Sequence, residues 1–237
     1  MEFTLLWAAL LGVAAMWALL KLEKRLGLLP DSRSDWFDLL IGSAVVGLVA
    51  GRLAAMILTG TNPVTHLGDF ILIRGGVDTG FASLATLLYL LWATRRSGLA
   101  SLDAVVPAGL AGLAGWHGGC LFRGTCLGTR SDLPWTWAEP GSDLTRHPTE
   151  LYAALLFLVA AFGLLMLLRR GAANGIAAGL GLAAAGLIRL LTEPLRPSLG
   201  SGPVWWYSAA ILIGLLVAIV AQRSPLPHLF SRGDPTS

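Results

Sequence analysis

Seven apolar segments, most of them long enough to cross a bilayer, occupy the greater part of this 237-residue chain. Read in windows they run at roughly Phe3 to Leu20, Phe37 to Leu58, Thr79 to Thr94, Leu99 to Phe122, Glu150 to Leu168, Ala173 to Thr192 and Val204 to Ala221. In hydrocarbon a backbone N–H or C=O has no water to bond, so a run of about 20 apolar residues is read as a helix that pairs its own polar groups. The expected fold class is all-α: a polytopic membrane protein with about seven transmembrane helices in a single domain over residues 1–237. Only 13% of residues are charged and 55% are hydrophobic, which leaves no soluble domain of any size. The first segment lacks a basic leading region and a clear small-residue cleavage site, so it reads as a retained helix.

The net charge of +3 could suggest a nucleic-acid partner, but the basic residues stand at the ends of apolar segments, where they anchor topology. Nucleic-acid binding is therefore not expected. Lys21, Lys24, Arg25, Arg33, Arg95, Arg96, Arg169, Arg170, Arg223 and Arg232 follow the odd-numbered segments, against Arg74, Arg123, Arg130, Arg146 and Arg196 on the other side. By the positive-inside rule the N-terminus is expected outside and the C-terminus in the cytoplasm. The two long loops, 60–78 and 123–149, then face outward, and a short tail, 223–237, faces inward.

Two arginines, Arg52 and Arg189, lie inside apolar segments, where insertion scales put the cost of a guanidinium at roughly 2.5 to 3.5 kcal/mol. Arg189 and Glu193 are i,i+4 neighbours and Glu193 and Arg196 are i,i+3, so one carboxylate is placed to orient two guanidiniums. Pro194 is expected to distort the last helical turn and aim Arg196. A guanidinium fork matches a pair of phosphate oxygens, which makes this run a phosphate clamp or, alternatively, a buried structural ion network.

Gly115-Trp-His-Gly-Gly-Cys-Leu-Phe-Arg-Gly-Thr-Cys-Leu-Gly128 joins the fourth segment to the outer loop. Its glycines would let a lipid headgroup approach backbone amides, and His117 among them could contact phosphate, act as a base, ligate a metal or simply pack. Cys120 and Cys126 are too few for a disulfide framework or a structural zinc site, though one disulfide can form on an oxidising side. Glycines 112 and 115, and 171, 175 and 179, read as points of close helix packing. Trp135, Trp137, Trp205 and Trp206 fit an interfacial belt or a lipid portal equally well.

The string Arg146-His147-Pro148-Thr149-Glu150-Leu151-Tyr152 resembles the Arg-His-Pro-Ser-Gln-Leu-Tyr signature of prolipoprotein diacylglyceryl transferases. The segment from Gly115 to Trp135 is similar to the glycine-rich signature of a cysteine-containing branch of that family, with Gly119 and Gly128 in register. Arg189, Glu193 and Arg196 resemble its Arg-x3-Glu-x2-Arg run, and Gly51-Arg52 its second-helix Gly-Arg. The resemblance implies transfer of an sn-1,2-diacylglyceryl group from phosphatidylglycerol to the lipobox cysteine of a prolipoprotein signal peptide, at the bacterial inner membrane. No metal or organic cofactor is required for that chemistry.

The resemblance further implies Arg189, His117 and Glu193 as catalytic residues, and Arg196, Arg146, His147, Tyr152, Gly119, Gly128 and Arg52 as substrate-binding. In two places the chain departs from the pattern. His117 stands where the family has arginine, and Gly80 stands near the place of a family histidine, leaving Asp78 or His147 as other candidate bases. A divergent paralogue that transfers another lipid group, or only binds phospholipid, remains the alternative.

Overall fold

The computed structural model describes residues 3–30, 35–66, 68, 76–96, 98–123, 126–138, 141–196 and 204–223. Arg33, Arg74, Glu139, Arg232, part of the 60–78 loop and almost all of the 223–237 tail lie outside the described residues. The chain forms helices α1 (Phe3–Arg25), α2 (Trp36–Leu58), α3 (Thr79–Thr94), α4 (Leu99–Gly118), α5 (Cys120–Arg123), α6 (Thr149–Arg169), α7 (Ile176–Thr192) and α8 (Val204–Arg223). Among the described residues the only sheet is a two-stranded antiparallel ribbon, β1 (Trp137–Ala138) and β2 (Thr145–Arg146), in which Trp137 faces Arg146. The protein is an all-α, multi-pass membrane protein. Six of its helices are long and apolar enough to span a bilayer, and α3 is a shorter apolar helix.

Helix α4 is the hub: it packs on α1 and α6 and touches α7, while α2 pairs with α3 and α7 with α8. Ala104, Val105, Ala108, Ala111 and Ala114 of α4 are buried against Met16 and Leu19 of α1, Leu39 and Leu40 of α2, and Ala153, Phe157 and Ala161 of α6. The outer faces are apolar and open; Leu212, Ile213, Leu216 and Val220 of α8 are all more than half exposed. Lipid removes the hydrophobic drive to bury such residues, so helix association rests on close van der Waals packing of small residues.

Glycine supplies that packing. A Cβ on Gly179 would lie 2.6 Å from the Gly214 carbonyl oxygen and 2.7 Å from the Ala218 amide nitrogen, so α7 and α8 meet backbone to backbone. Gly115 and Gly112 of α4 perform the same service against Leu11, Gly12 and Met16 of α1. Gly171, with φ +77° and nothing within 4 Å of an added Cβ, only turns the chain, whereas Gly175, with φ +95°, also packs closely as expected: a Cβ there would lie 3.0 Å from Leu99 Cδ1 and 3.1 Å from Ala221 Cβ.

Three boundaries depart from the sequence reading for local reasons. Helix α1 continues past Leu20 to Arg25, which places Glu23 within the bundle, fully buried. The fourth segment spans Leu99–Phe122 as expected, but its helix is interrupted at Gly119, between α4 and α5. The sixth begins at Ile176, where buried Asp103 of α4 caps it: Gly175 N–H donates to Oδ2 at 2.5 Å and Ala178 N–H to Oδ1 at 2.6 Å. A carboxylate there satisfies orphan amides and opposes the positive end of the helix dipole. This fastens α7 to α4 at the end of the bundle away from Arg189.

Replacing Gly179 by valine should force α7 from α8, with a loss of about 3 kcal/mol expected from overpacking against backbone. Gly163→Ala, where an added Cβ meets nothing within 4 Å, should be silent in the same thermal-unfolding assay in detergent.

Candidate active site

The C-terminal ends of α4 and α7 and the N-terminal ends of α6 and α8 converge at one end of the bundle, where buried His117 meets a group of partly buried charges. Helix α7 stops at Thr192 and tightens into a 3-10 turn, Glu193–Leu195, containing Pro194. Arg196 then leaves in extended conformation, with φ −82° and ψ +144°. The proline does therefore mark the place where the helix ends and Arg196 turns away.

That turn changes which carboxylate each arginine meets. Arg189 donates from Nη2 to Glu193 Oε2 at 3.2 Å and to the Tyr207 hydroxyl at 3.1 Å, and Tyr207 donates to Glu193 Oε2 at 3.2 Å. The Tyr207 ring also lies 5.4 Å from the Arg189 guanidinium carbon, within cation–π range. Arg196, expected on Glu193, instead donates to Glu150 Oε1 at 2.6 Å. The i,i+3 pairing assumed a continuous helix, and the 3-10 turn followed by extended backbone carries Arg196 off that face.

Glu150 is the centre of the second group. Its other oxygen, Oε2, lies 2.6 Å from His117 Nδ1, and the imidazole stacks on Phe157 with a 5.4 Å centroid distance and planes 12° apart. His117 is buried, and Glu150 and Arg196 are largely so. Arg189 is near enough to act by charge on His117, Glu150 and Arg196. Burial, and after it the positive charge of Arg189, lower the Arg196 pKa from its ordinary value, opposed by Glu150 and Glu193; a guanidinium remains charged throughout.

The backbone holds these groups in place. Leu195 O accepts from Thr129 N–H at 2.8 Å and from the Thr149 hydroxyl at 3.0 Å, which fixes the residue before Arg196. Gly128 N–H donates to His147 O at 2.7 Å, and a Cβ on Gly128 would fall on the Thr149 hydroxyl and the Leu195 carbonyl. Gly119 similarly seats on Ala8 of α1, with its amide bonded to Gly115 O at 3.0 Å. The amides of Gly119 and Gly128, expected to face a headgroup, are thus taken up within the protein. A disulfide joins buried Cys120 and Cys126 and closes the corner after α4, so neither sulfur is a free nucleophile.

The remaining expected site residues are dispersed around this cluster. Arg146 donates to Gly128 O at 3.2 Å. His147 Nδ1 lies 3.3 Å from the Tyr152 hydroxyl, with the rings edge to face. Buried Arg52 donates to Gly76 O at 2.8 Å, bracing the chain that enters α3. Asp78 caps α3 by accepting from Phe81 N–H at 2.9 Å. Glu150 and Tyr207 are the residues that sequence reasoning leaves without a role. Glu150 offers a signal as an acidic residue opening an apolar span, but Tyr207 offers none beside two tryptophans.

The profile of the prolipoprotein diacylglyceryl transferase family matches residues 2–221. The chain belongs to this family. Among its relatives is a phosphatidylglycerol–prolipoprotein diacylglyceryl transferase of Methylobacillus flagellatus, 31% identical over 202 residues that cover 78% of this chain and 77% of that protein. Proteins with the same name from Shewanella sp. ANA-3 and from the Wolbachia of Brugia malayi are 29% and 26% identical, covering 82% and 84% of this chain and 75% and 79% of theirs. His117 and Glu150, which lie in the two strings that resemble the family's signatures, are in direct contact.

Removing the disulfide with Cys120→Ser and Cys126→Ser should lower stability by about 2 kcal/mol, the loop-entropy value for so short a ring. Intact protein should take up no maleimide label until it is unfolded and reduced. Labelling of native, unreduced protein at either cysteine would contradict the closed corner.

Proposed function

We propose that this protein transfers the sn-1,2-diacylglyceryl group of phosphatidylglycerol to the lipobox cysteine thiol of prolipoproteins, at the outer face of the bacterial inner membrane. The carrying observation is a buried cluster of two guanidiniums, two carboxylates and one imidazole at one end of a membrane bundle of this family. In the reaction the thiol sulfur forms a bond to the glyceryl carbon while the bond from that carbon to the phosphate oxygen breaks. The electron pair leaves with glycerol phosphate, and the thiol proton must be accepted.

Each demand has a matching group. Arg189 and Arg196 meet the charge that develops on the departing phosphate, and in a site sheltered from water such donors act more strongly than in solution. Glu193 and Tyr207 hold Arg189 from two sides, so its fork is oriented before the donor arrives. Arg146, His147, Tyr152 and Arg52 organise the chain segments around the headgroup plane. The acceptor thiol belongs to the prolipoprotein, in keeping with the engaged state of Cys120 and Cys126. The outward orientation is supported by the distribution of Lys and Arg and by a disulfide at the same end as the cluster, since disulfides persist on the oxidising side.

Complementation of a transferase-depleted bacterium, scored by lipid labelling of a lipobox substrate, should succeed with this protein. Arg189→Lys should insert normally yet lose about 100-fold in transfer, because an ammonium cannot reproduce the planar fork. Full activity of that variant would return Arg189 to a structural role. A reporter active only outside the membrane should work when fused after Ser142 and stay silent after Arg170; the opposite pattern would place the cluster on the cytoplasmic face.

A further inference from the structure

We propose that Glu150 is a positioning residue that makes His117 the proton acceptor for the incoming thiol. The assignment rests on the transfer reaction above and deepens it. Glu150 Oε2, as a carboxylate, accepts from His117 Nδ1–H at 2.6 Å. A neutral imidazole with its proton on Nδ1 has its lone pair on Nε2, which is the arrangement a general base needs. Phe157 stacked on the ring fixes its plane, and the tie from Glu150 Oε1 to Arg196 at 2.6 Å keeps the carboxylate from rotating away.

Charge balance points the same way. The groups that act on His117 are Glu150 at the start of α6, Arg189 on α7 and Arg196 beyond it, with Glu193 and Tyr207 on the far side of Arg189. Two guanidiniums and two carboxylates cancel, so the cluster carries no net charge while His117 is neutral. When the thiol proton moves to Nε2, sulfur bonds to the glyceryl carbon and the carbon–oxygen bond breaks, giving the departing phosphate a second negative charge. The imidazolium supplies the compensating positive charge at that moment, stabilised by Glu150. Of the other candidate bases, Asp78 caps α3, and His147 Nδ1 meets the neutral Tyr152 hydroxyl, which gives an imidazolium none of the stabilisation a carboxylate gives.

Purified full-length protein, assayed over a pH range with phosphatidylglycerol vesicles and a lipobox peptide, tests this. Glu150→Gln should lose about 100-fold in kcat with little change in KM for the donor. The acid limb of its rate profile should move to lower pH, since the amide no longer favours the imidazolium. Glu150→Asp should keep the wild-type limb at reduced rate, and it serves if the glutamine variant fails to fold. His117→Arg preserves positive charge but cannot accept a proton at neutral pH, so it should be nearly inactive. A His117→Arg protein as active as wild type, or a Glu150→Gln or Glu150→Asp protein that matches wild type in both rate and profile, would overturn the assignment. Absence of transfer by the wild type itself would instead overturn the proposed function, and the assignment with it.

Discussion

Glu150 is satisfied on both carboxylate oxygens, and the way it is satisfied organises the candidate site at this end of the molecule. One oxygen takes His117 from α4 and the other takes Arg196 from beyond α7, each at 2.6 Å, while Glu150 itself opens α6. Three chain segments are therefore tied by one side chain. Removing a partner from such a buried pair leaves an unanswered charge, at a cost of about 3 to 5 kcal/mol. The disulfide, the seat of Gly128 and the two bonds to Leu195 O hold the same segments by independent means, so the ion network does not have to maintain its own geometry.

The membrane setting explains why the scaffold is built of small residues. Lipid tails resemble leucine side chains, so exposed leucines on α8 cost nothing and bind nothing, and helices are held by contact. Gly115, Gly179 and Gly214 let backbones meet, and the buried alanines of α4 let other helices crowd around it. Asp103 at the far end of α7 complements this, because it sets the start of the helix that delivers Arg189. The Asp103 cap and the His117–Glu150 cluster thus stand at opposite ends of the α4–α7 pair.

His117 and Glu150 come from two separate segments that resemble the family's signatures, and they meet in direct contact. In the proposed mechanism their contact places the proton acceptor at the end of α4, in a chain with glycine at position 80. Tyr207, donating to Glu193 and receiving from Arg189, similarly places α8 in the site.

What the sequence determined by itself was whatever short-range geometry and the bilayer impose. Hydrocarbon thickness marks out the apolar spans, which came within a few residues of the observed helices, and the 3.6-residue period sets Arg189 beside Glu193. The same period misled at Arg196, where Pro194 and a 3-10 turn replace the helix that an i,i+3 pair requires. Only tertiary structure decided the partners of His117, Arg196 and Tyr207. Glu150 lies 33 residues from His117 and 46 from Arg196 along the chain, and no local rule spans such distances. Those contacts arise from how α4, α6 and α7 pack, which brings the start of α6 against the ends of α4 and α7.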